Sequence, residues 1–321
     1  MFRYIKSQPK GLTDLLNLIT MQRYSNFIVL LLITFLISTP IYAQLDLLDS
    51  ETMLEDVRKL SHDAAEGRKS GTKGAEAARR YIIKQMADMK AKSLVNGYKH
   101  DFTFVNRGGD TIQAYNIISY IKGKSDKAFV ITAHYDHVGV INGEVYNGAD
   151  DNASGVGALL AMIEYFKANK PEHTLVFAAL DGEEMGLQGA KAFMKDERIP
   201  LDAFVLNINM DMISINDKNE LYVAGTYHNP NLKPIIEDVS VEPLQLKFGH
   251  DSPDLGSNDW TMQSDHGVFH KAGMPFLYFG VEDHEHYHKG SDEFENINQM
   301  FYVRAAHAVL ECVLALDQNL N

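Results

Sequence analysis

The stretch AFVITAHYD, residues 128–136, places a histidine and an aspartate at the end of an apolar run. Its first six residues have the length and composition of a buried β-strand. Three similar runs follow, at Thr174–Leu180, Ala203–Met210 and Phe276–Phe279. Helical patterns separate or flank them, at residues 155–167, 187–195 and 231–239. This alternation predicts an α/β fold with three layers, α-β-α, around a mainly parallel, mixed central sheet.

The segments on either side of these runs complete one domain. Residues 53–92 have the pattern of a helix, a loop and a second helix, and short strand-like pieces fill residues 98–120. Residues 299–316 are predicted to form the last helix. With 45% hydrophobic residues in 321, the chain can bury a large core. We therefore expect one catalytic domain at residues 44–321.

The beginning of the chain has the pattern of an export signal. Phe27–Ser38 is a 12-residue apolar run behind Arg23, and Ile41-Tyr42-Ala43 resembles a cleavage site. We interpret residues 1–43 as a signal peptide, with periplasmic or secreted localisation and no membrane contact after cleavage. A retained anchor is the alternative, although the run is short for a bilayer. A signal peptide starting at Met21 would have ordinary length, so residues 1–20 are a candidate upstream mis-start.

Charge and cysteine content argue against a nucleic-acid-binding protein and against a domain held by disulfide bonds. The formal net charge is −13, which disfavours nucleic acid as a partner. The single cysteine, Cys312, cannot form an internal disulfide and lies in an apolar helical pattern, where we expect a buried thiol. The oligomeric state is left open by the sequence.

The first candidate functional residues are His134 and Asp136. Alternate residues of a strand point to the same side, so the Asp136 carboxylate can accept a hydrogen bond from the second ring nitrogen of His134. Such a bond fixes the tautomer of a metal-bound imidazole. An ordinary surface pair is the alternative.

Acidic residues follow at three further places. Asp150 and Asp151 lie in the loop GADDNASG before a helical pattern, where metal binding competes with helix capping by Asn152 or Ser154. Glu183 and Glu184 follow a buried strand, and Asp211 ends another. Adjacent glutamates repel each other unless their roles differ, so we expect one to bind metal and one to move protons. A solvated acidic turn is the alternative for this pair.

The last cluster is HEHYH, residues 284–288, with three histidines at alternate positions. Spacing alone does not choose among His284, His286 and His288 as a ligand. The acids that follow could orient a ligand histidine, and they are Asp292, Glu293 and Glu295. A mixed set of imidazoles and carboxylates suits zinc, so the clusters together predict a two-metal hydrolase.

Taken in order, these motifs resemble the co-catalytic di-zinc exopeptidase family, which contains bacterial leucyl-type aminopeptidases, glutamate carboxypeptidase-like enzymes and, more distantly, glutaminyl cyclases. The resemblance runs from about residue 60 to residue 298. Its elements are Leu60-Ser61, Glu66-Gly67-Arg68, Gly71-Thr72, His134-Tyr135-Asp136, residues 148–155, Gly182-Glu183-Glu184, Gly186-Leu187, Asn209-Met210-Asp211, Ser264-Asp265-His266, Tyr287-His288 and Ser291-Asp292.

The resemblance implies a role for each of these residues. Two zinc ions would share Asp150 as the bridging ligand. His134 and Asp211 would complete one site, and Glu184 and His288 would complete the other. Glu183 would be the general base and Tyr287 would stabilise the oxyanion. Supporting positions would be Asp136, Asp151 and Asp292. The family often has a cis peptide bond at the acidic pair, which we expect between residues 150 and 151.

The expected reaction is hydrolysis of the N-terminal bond of peptide substrates by an aminopeptidase. Met212, Phe276 and Phe279 could line an apolar pocket for the first side chain, or could belong to the core. No arginine lies between residues 212 and 302 to bind a substrate carboxylate, which disfavours a carboxypeptidase. A dipeptidase, a glutaminyl cyclase, for which Trp260 is suggestive, and a non-catalytic binding protein are the alternatives.

Overall fold

The computed structural model describes residues 47–320. The predicted signal peptide, its cleavage point and the candidate mis-start lie outside the described residues. The helices are α1 (Ser50–Leu60), α2 (Lys73–Asp88), α3 (Gly155–Ala168), α4 (Gln188–Phe193), α5 (Lys233–Ile236), α6 (His266–Lys271) and α7 (Gln299–Asn319). The strands are β1 (Lys92–Ser93), β2 (Lys99–Val105), β3 (Thr111–Ile121), β4 (Ala128–His134), β5 (Gly139–Ile141), β6 (Glu144–Tyr146), β7 (Thr174–Leu180), β8 (Phe204–Met210), β9 (Glu220–Ala224), β10 (Gln245–Phe248) and β11 (Phe276–Gly280).

One nine-stranded sheet forms the centre of the domain. Its strand order is β1-β3-β7-β4-β8-β11-β9-β10, with β2 paired to β3. The four central strands β7, β4, β8 and β11 are parallel to one another, while β3 and β9 run antiparallel to them. The predicted mainly parallel, mixed sheet is confirmed. A separate hairpin consists of β5 and β6.

The four central strands lie close to their predicted bounds because their side chains are almost all buried. Every residue of β4, β7 and β11 is buried, as expected for strands covered on both faces. The prediction at residues 231–239 was too long. Helix α5 has only four residues, and the chain turns after it with a bond from the Val239 amide to the Ile236 carbonyl.

Helices cover the sheet on both faces. Apolar side chains on one face, such as Val130 and Val176, pack with Phe193 of α4 and Phe269 of α6. Helices α1 and α3 pack together on the other face, where a Cβ at Gly157 would meet Val57. Among the described residues, only α7 has the length and hydropathy of a membrane span, and 67% of its most apolar window is buried within the domain, as in a core helix.

The two ends of the parallel strands lie on opposite sides of the domain and differ in their chemistry. We call the side at which β4, β7, β8 and β11 end the carboxyl edge, and the side at which they begin the amino pole. The loops that contain the predicted site residues follow these four strands or lead into α3. They therefore meet at the carboxyl edge, where α/β proteins bind their ligands.

Candidate metal centre

Two groups of possible metal ligands lie at the carboxyl edge and share Asp151. In the first group, Nε2 of His134 lies 3.3 Å from Oδ1 of Asp151 and 3.1 Å from Oδ1 of Asp211. His134 is the last residue of β4 and Asp211 directly follows β8, so two neighbouring parallel strands bring these side chains together.

The second group lies on the other side of the Asp151 carboxylate. Nε2 of His288 lies 3.1 Å from Oδ2 of Asp151 and 3.3 Å from Oε1 of Glu184. A second imidazole is also close, since Nδ1 of His137 lies 2.8 Å from the same Glu184 oxygen and 3.6 Å from Oδ2 of Asp151. His137 is fully buried, whereas His288 is partly exposed.

The donor atoms of the second group fit a bound metal. Both ring nitrogens of His137 and Oε1 of Glu184 are buried, and within the described part of the chain none of them makes a well-oriented hydrogen bond, although Nδ1 of His137 and Oε1 of Glu184 are only 2.8 Å apart. Buried polar atoms without partners are costly, and carboxylates and imidazoles that converge in this way are a typical zinc ligand set. His134, Asp151 and Asp211 could hold one ion. Asp151 and Glu184, with His288 or His137, could hold a second.

The implied bridging role of Asp150 was wrong, because the structure places the neighbouring Asp151 between the two groups. The Asp150 carboxylate points elsewhere and accepts hydrogen bonds from the Ser214 amide at 2.7 Å and its hydroxyl at 2.8 Å. Its other oxygen lies 2.8 Å from Nε2 of His284. Asp150 therefore anchors two neighbouring loops, and Asp151, predicted only to support the ligands, occupies the shared position.

The backbone around the acidic pair shows the same offset of one residue. The cis peptide bond joins Asp151 to Asn152, not Asp150 to Asp151 as expected. Asp292 accepts hydrogen bonds from the Asp150 amide at 2.8 Å and the Asp151 amide at 3.0 Å. The expectation that Asp292 orients a ligand histidine was also wrong, because its carboxylate holds the loop backbone that carries Asp151.

A buried arginine fixes this loop from the opposite side. Arg68 is fully buried and donates hydrogen bonds to four backbone carbonyls in three segments, at Leu60, at Tyr135, and at Asn147 and Gly148. Burial lowers the pKa of Arg68 to about 10, and nearby carboxylates, with Asp292 and Asp151 first, oppose that shift. The guanidinium thus ties the loops together and supplies a fixed positive charge behind the carboxylates.

Asp136 supports Glu183 more directly than it supports His134. Nδ1 of His134 bonds to the backbone carbonyl of Asp136 at 3.1 Å, whereas the nearest Asp136 carboxylate oxygen is 3.8 Å away. The carboxylate instead accepts a hydrogen bond from the Glu183 amide at 3.0 Å. The predicted carboxylate contact is therefore replaced by a carbonyl contact, which can fix the same tautomer.

Glu183 has the electrostatic surroundings of a proton acceptor. Burial raises the pKa of its carboxyl well above the usual range, the His134 imidazole opposes this, and Asp211 and Asp265 add to it. Glu184 differs, because its pKa is lowered: burial favours the neutral carboxyl, but His137 and His288 outweigh that effect. The expectation that the two adjacent glutamates differ in role is consistent with this difference.

Ser264 and Asp265 extend the site beyond the predicted residues. The Ser264 hydroxyl donates to Oδ2 of Asp211 at 2.6 Å and accepts a hydrogen bond from the Asn209 amide group at 3.0 Å. Asp265 is fully buried, and neither carboxylate oxygen has a hydrogen-bond partner among the described residues. Burial raises the pKa of Asp265 to about 7, with Asp211 adding to the increase and His134 opposing it.

The three histidines of the loop after β11 have different partners. His288 reaches the second ligand group, His284 bonds to Asp150, and His286 faces the Ser291 hydroxyl at 3.0 Å. Tyr287 stacks on His288 with 4.0 Å between ring centroids. Burial raises the pKa of the Tyr287 phenol, with Asp151 and Asp211 adding to the increase, so the phenol remains a hydrogen-bond donor.

Two of the three predicted pocket residues belong to the core. Phe276 and Phe279 have no exposed surface, because β11 lies between β8 and β9 and α6 packs against it. Phe276 contacts the rings of His266 and His270, not a cleft. Met212 is 6% exposed and beside Asp211, so its side chain offers little surface to a substrate.

His137 is the main site residue that the sequence analysis missed. It follows Asp136 directly, and the run His134-Tyr135-Asp136-His137 contains a second imidazole that could have been considered as a ligand. Ser264 and Asp265 were quoted only as part of the family resemblance. No strand pattern precedes them, so their spacing alone did not indicate contact with Asp211.

Known proteins with similar sequences include peptidases, in agreement with the candidate metal centre. A model of peptidase family M28 matches residues 116–313. Aminopeptidase YwaD of Bacillus subtilis is 30% identical over 215 residues, which cover 62% of this chain and 44% of YwaD. The chain spans less than half the length of the first curated relatives that it matches.

Solved structures share the fold. The glutaminyl cyclase of Porphyromonas gingivalis gives a TM-score of 0.68 at 16% identity, over 84% of this chain and 98% of the cyclase. BSAP, a zinc aminopeptidase of Bacillus subtilis, gives a TM-score of 0.64 at 18% identity, over 82% of this chain and 94% of that one. At these identities, the likeness establishes the fold alone.

The sheet and the two ligand groups at its carboxyl edge define a protein with the zinc-exopeptidase fold and a candidate metal centre. The family match covers more than half of the chain, and so the chain belongs to peptidase family M28. The family assignment inferred from the ordered motifs is confirmed.

Proposed function

We propose that this protein is a zinc-dependent aminopeptidase that acts on peptides after export from the cytoplasm. The observation that carries the proposal is the pair of ligand groups that share Asp151, with Glu183 beside them. Bound zinc ions would supply Lewis acidity to the scissile carbonyl and to the attacking water. Similarity to aminopeptidase YwaD supports cleavage at the N-terminal end of the peptide.

Glu183 moves the proton in this mechanism. Its carboxylate takes a proton from the attacking water and returns it to the nitrogen of the leaving amine, so that no net proton is lost. Asp136 holds the backbone amide of Glu183, which fixes the position of the side chain that follows. Asp211 and Asp265 raise the pKa of Glu183, which strengthens it as a base.

Tyr287 is proposed to stabilise the oxyanion that develops on the substrate. Its ring is held by stacking on His288, and its phenol keeps its proton because burial and the nearby carboxylates raise its pKa. A protonated phenol can donate a hydrogen bond to the developing negative charge. This role requires the hydroxyl, and a phenylalanine would keep only the stacking.

A glutaminyl cyclase is the second candidate, because the cyclase of P. gingivalis shares the fold at a TM-score of 0.68. The products separate the two activities. A cyclase releases ammonia from an N-terminal glutamine, whereas an aminopeptidase releases a free amino acid.

The test is hydrolysis of a panel of aminoacyl anilides by the purified exported protein, with a glutaminyl peptide as the cyclase substrate. We expect anilide cleavage that a chelator abolishes and added zinc restores. Ammonia release without anilide cleavage would replace the proposal with the cyclase. Absence of both activities in a protein that binds two zinc ions would contradict both enzyme proposals.

A further inference from the structure

Five lysines line one groove at the amino pole of the domain, and we call this surface the lysine groove. It encloses about 400 Å³ between the end of α2, the end of β3 and the end of α3, with Phe166 and Ile121 among its walls. All five lysines are exposed, and they are Lys90, Lys92, Lys122, Lys167 and Lys170. Such a concentration is unusual in a chain with a net charge of −13.

Little negative charge within the domain neutralises these lysines. Lys122 pairs with Asp126, and Lys167 donates to the backbone carbonyl of Lys90 at 3.1 Å. For Lys90, Lys92 and Lys170, the described part of the chain contains no ion-pair partner within 4.0 Å. The groove therefore presents uncompensated ammonium groups to an external anion.

The fold places the lysine groove opposite the candidate metal centre. Helix α3 begins directly after the loop that contains Asp151 and ends beside Lys167, and its 14 residues span about 21 Å. Strand β3 ends at Ile121, which pairs with Leu175 at the beginning of β7. Because β7 leads to Glu183 at its other end, a surface bound at the groove would leave the carboxyl edge open.

The described chain also enters the domain near this pole. Asp49 precedes α1 and lines a neighbouring cavity of about 300 Å³ together with Asp88, Met89 and Glu164. Lys90 directly follows Met89, so this acidic cavity adjoins the lysine groove and limits its extent. The lysine groove is therefore a bounded patch with acidic side chains on one side.

We propose that the lysine groove is a docking surface for the anionic headgroups of a phospholipid bilayer, which replaces the sequence-based expectation of no membrane contact after cleavage. Each lysine near an anionic membrane strengthens binding by about fivefold, so several acting together give measurable binding. The overall negative charge of the protein does not prevent this contact. Charges farther from the surface than about 8 Å are largely screened at physiological salt. Docking here would hold the peptidase site towards the aqueous phase.

A bilayer fits the observations better than a soluble polyanion does. The lysines come from three separate chain segments, and they form a compact patch, not a long track along which a polymer would lie. A soluble acidic polymer is therefore the competing occupant that the experiment must exclude.

The test is sedimentation of the protein with vesicles of phosphatidylcholine alone or with about one third phosphatidylglycerol. The full chain is expressed, and the N-terminus of the purified product is determined by mass spectrometry. We expect binding to the anionic vesicles that is at least about tenfold stronger than binding to the neutral ones and weakens as salt is raised. A retained apolar segment would add equally to both vesicle types and leave this difference.

The variant replaces Lys90, Lys92, Lys167 and Lys170 with glutamine. The matched control replaces four exposed lysines outside the groove, so both variants lose the same charge, and these are Lys59, Lys73, Lys218 and Lys271. We expect the groove variant to lose about tenfold or more of its anionic-vesicle binding, while the control binds as the parent does. Peptidase activity on a soluble substrate should remain unchanged in both, which checks folding.

Three outcomes would overturn the proposal. One is equal loss of vesicle binding in the groove variant and the control, which would reflect net charge alone. Another is equal binding of the parent to neutral and anionic vesicles. The third is binding to a soluble polyanion such as polyglutamate without binding to anionic vesicles, which would assign the groove to the competing occupant.

Discussion

The carboxyl edge and the amino pole of the same sheet differ in how far their charged side chains are buried. At the carboxyl edge, imidazoles and carboxylates converge, and Asp151, Glu184 and His137 are buried or nearly so. At the amino pole, the lysines that line the groove are exposed to solvent. Both edges are made by the same strands, so the difference arises from the loops that follow and precede them.

The comparison shows which of the two sides needs bound ions to stabilise its charged side chains. Exposed lysines are hydrated and cost little free energy. Buried carboxylates that face one another have no such solvation. Burial raises the pKa values of Glu183, Asp211 and Asp265 although the His134 imidazole opposes this, so positive groups within the chain compensate these carboxylates only in part. The carboxyl edge is thus expected to require metal ions, whereas the amino pole is stable without a ligand.

The largest expected effect concerns the two adjacent aspartates. Asp151→Asn should abolish activity and reduce the zinc content from about two ions per chain to one or none, because both ligand groups use this carboxylate. Asp150→Asn should keep zinc and lose about 1–3 kcal/mol of stability through its bonds to Ser214. Elemental analysis with thermal unfolding measures both. Zinc loss in the Asp150 variant alone would reverse the assignment.

Glu183→Gln should separate proton transfer from metal binding. We expect kcat to fall by about 10²- to 10⁴-fold, because the amide cannot accept the proton from water. Zinc content should stay at the parental level, since Glu183 belongs to neither ligand group. Steady-state kinetics with elemental analysis provides the measurement. Parental kcat in the zinc-loaded variant would exclude Glu183 as the base.

Asp265 allows a test of buried charge at the carboxyl edge. Its pKa in the folded, metal-free protein is raised to about 7, so the folded state binds a proton that the unfolded state releases near pH 4. This contribution to stability is present below about pH 4 and is lost as pH rises to about 7. We expect Asp265→Asn to flatten that decrease in the metal-free protein, measured by urea unfolding. An unchanged pH profile would contradict this assignment.

Tyr287→Phe should give the smallest effect. The variant keeps the ring stacked on His288 and removes only the hydroxyl. We expect kcat to decrease by about 10²-fold, the lower end of the range for loss of one oxyanion donor, with little change in KM. A decrease in zinc content would instead mean that Tyr287 acts through its neighbour His288, and unchanged kcat would remove it from the mechanism.

The sequence predicted the central sheet well because its strands are buried on both faces. Runs such as Ala128–His134 contain almost no polar residues, so their bounds are visible without a structure. The same runs place His134, Glu184 and Asp211 at strand ends, and parallel packing brings strand ends together. The sequence therefore predicted that these side chains meet in one region, and the structure places two groups of possible metal ligands there.

The sequence could not show which of two neighbouring loop residues faces the metal centre. Asp150 and Asp151 lie in an irregular segment where Asp151 has extended dihedral angles, so no strand or helix period tells which carboxylate faces the centre. His137 lies beyond the end of its strand, where alternation no longer applies. Phe276 and Phe279 resembled pocket residues only because the sequence does not show that β11 is covered on both faces.

The most direct test of the shared role of Asp151 is diffraction at the zinc absorption edge from crystals grown with zinc. We predict two anomalous peaks about 3.5–4 Å apart, with the Asp151 carboxylate between them. His134 and Asp211 should contact one peak, and Glu184 with His288 or His137 should contact the other. Two peaks bridged by Asp150, or a single peak that Asp151 does not contact, would contradict the account.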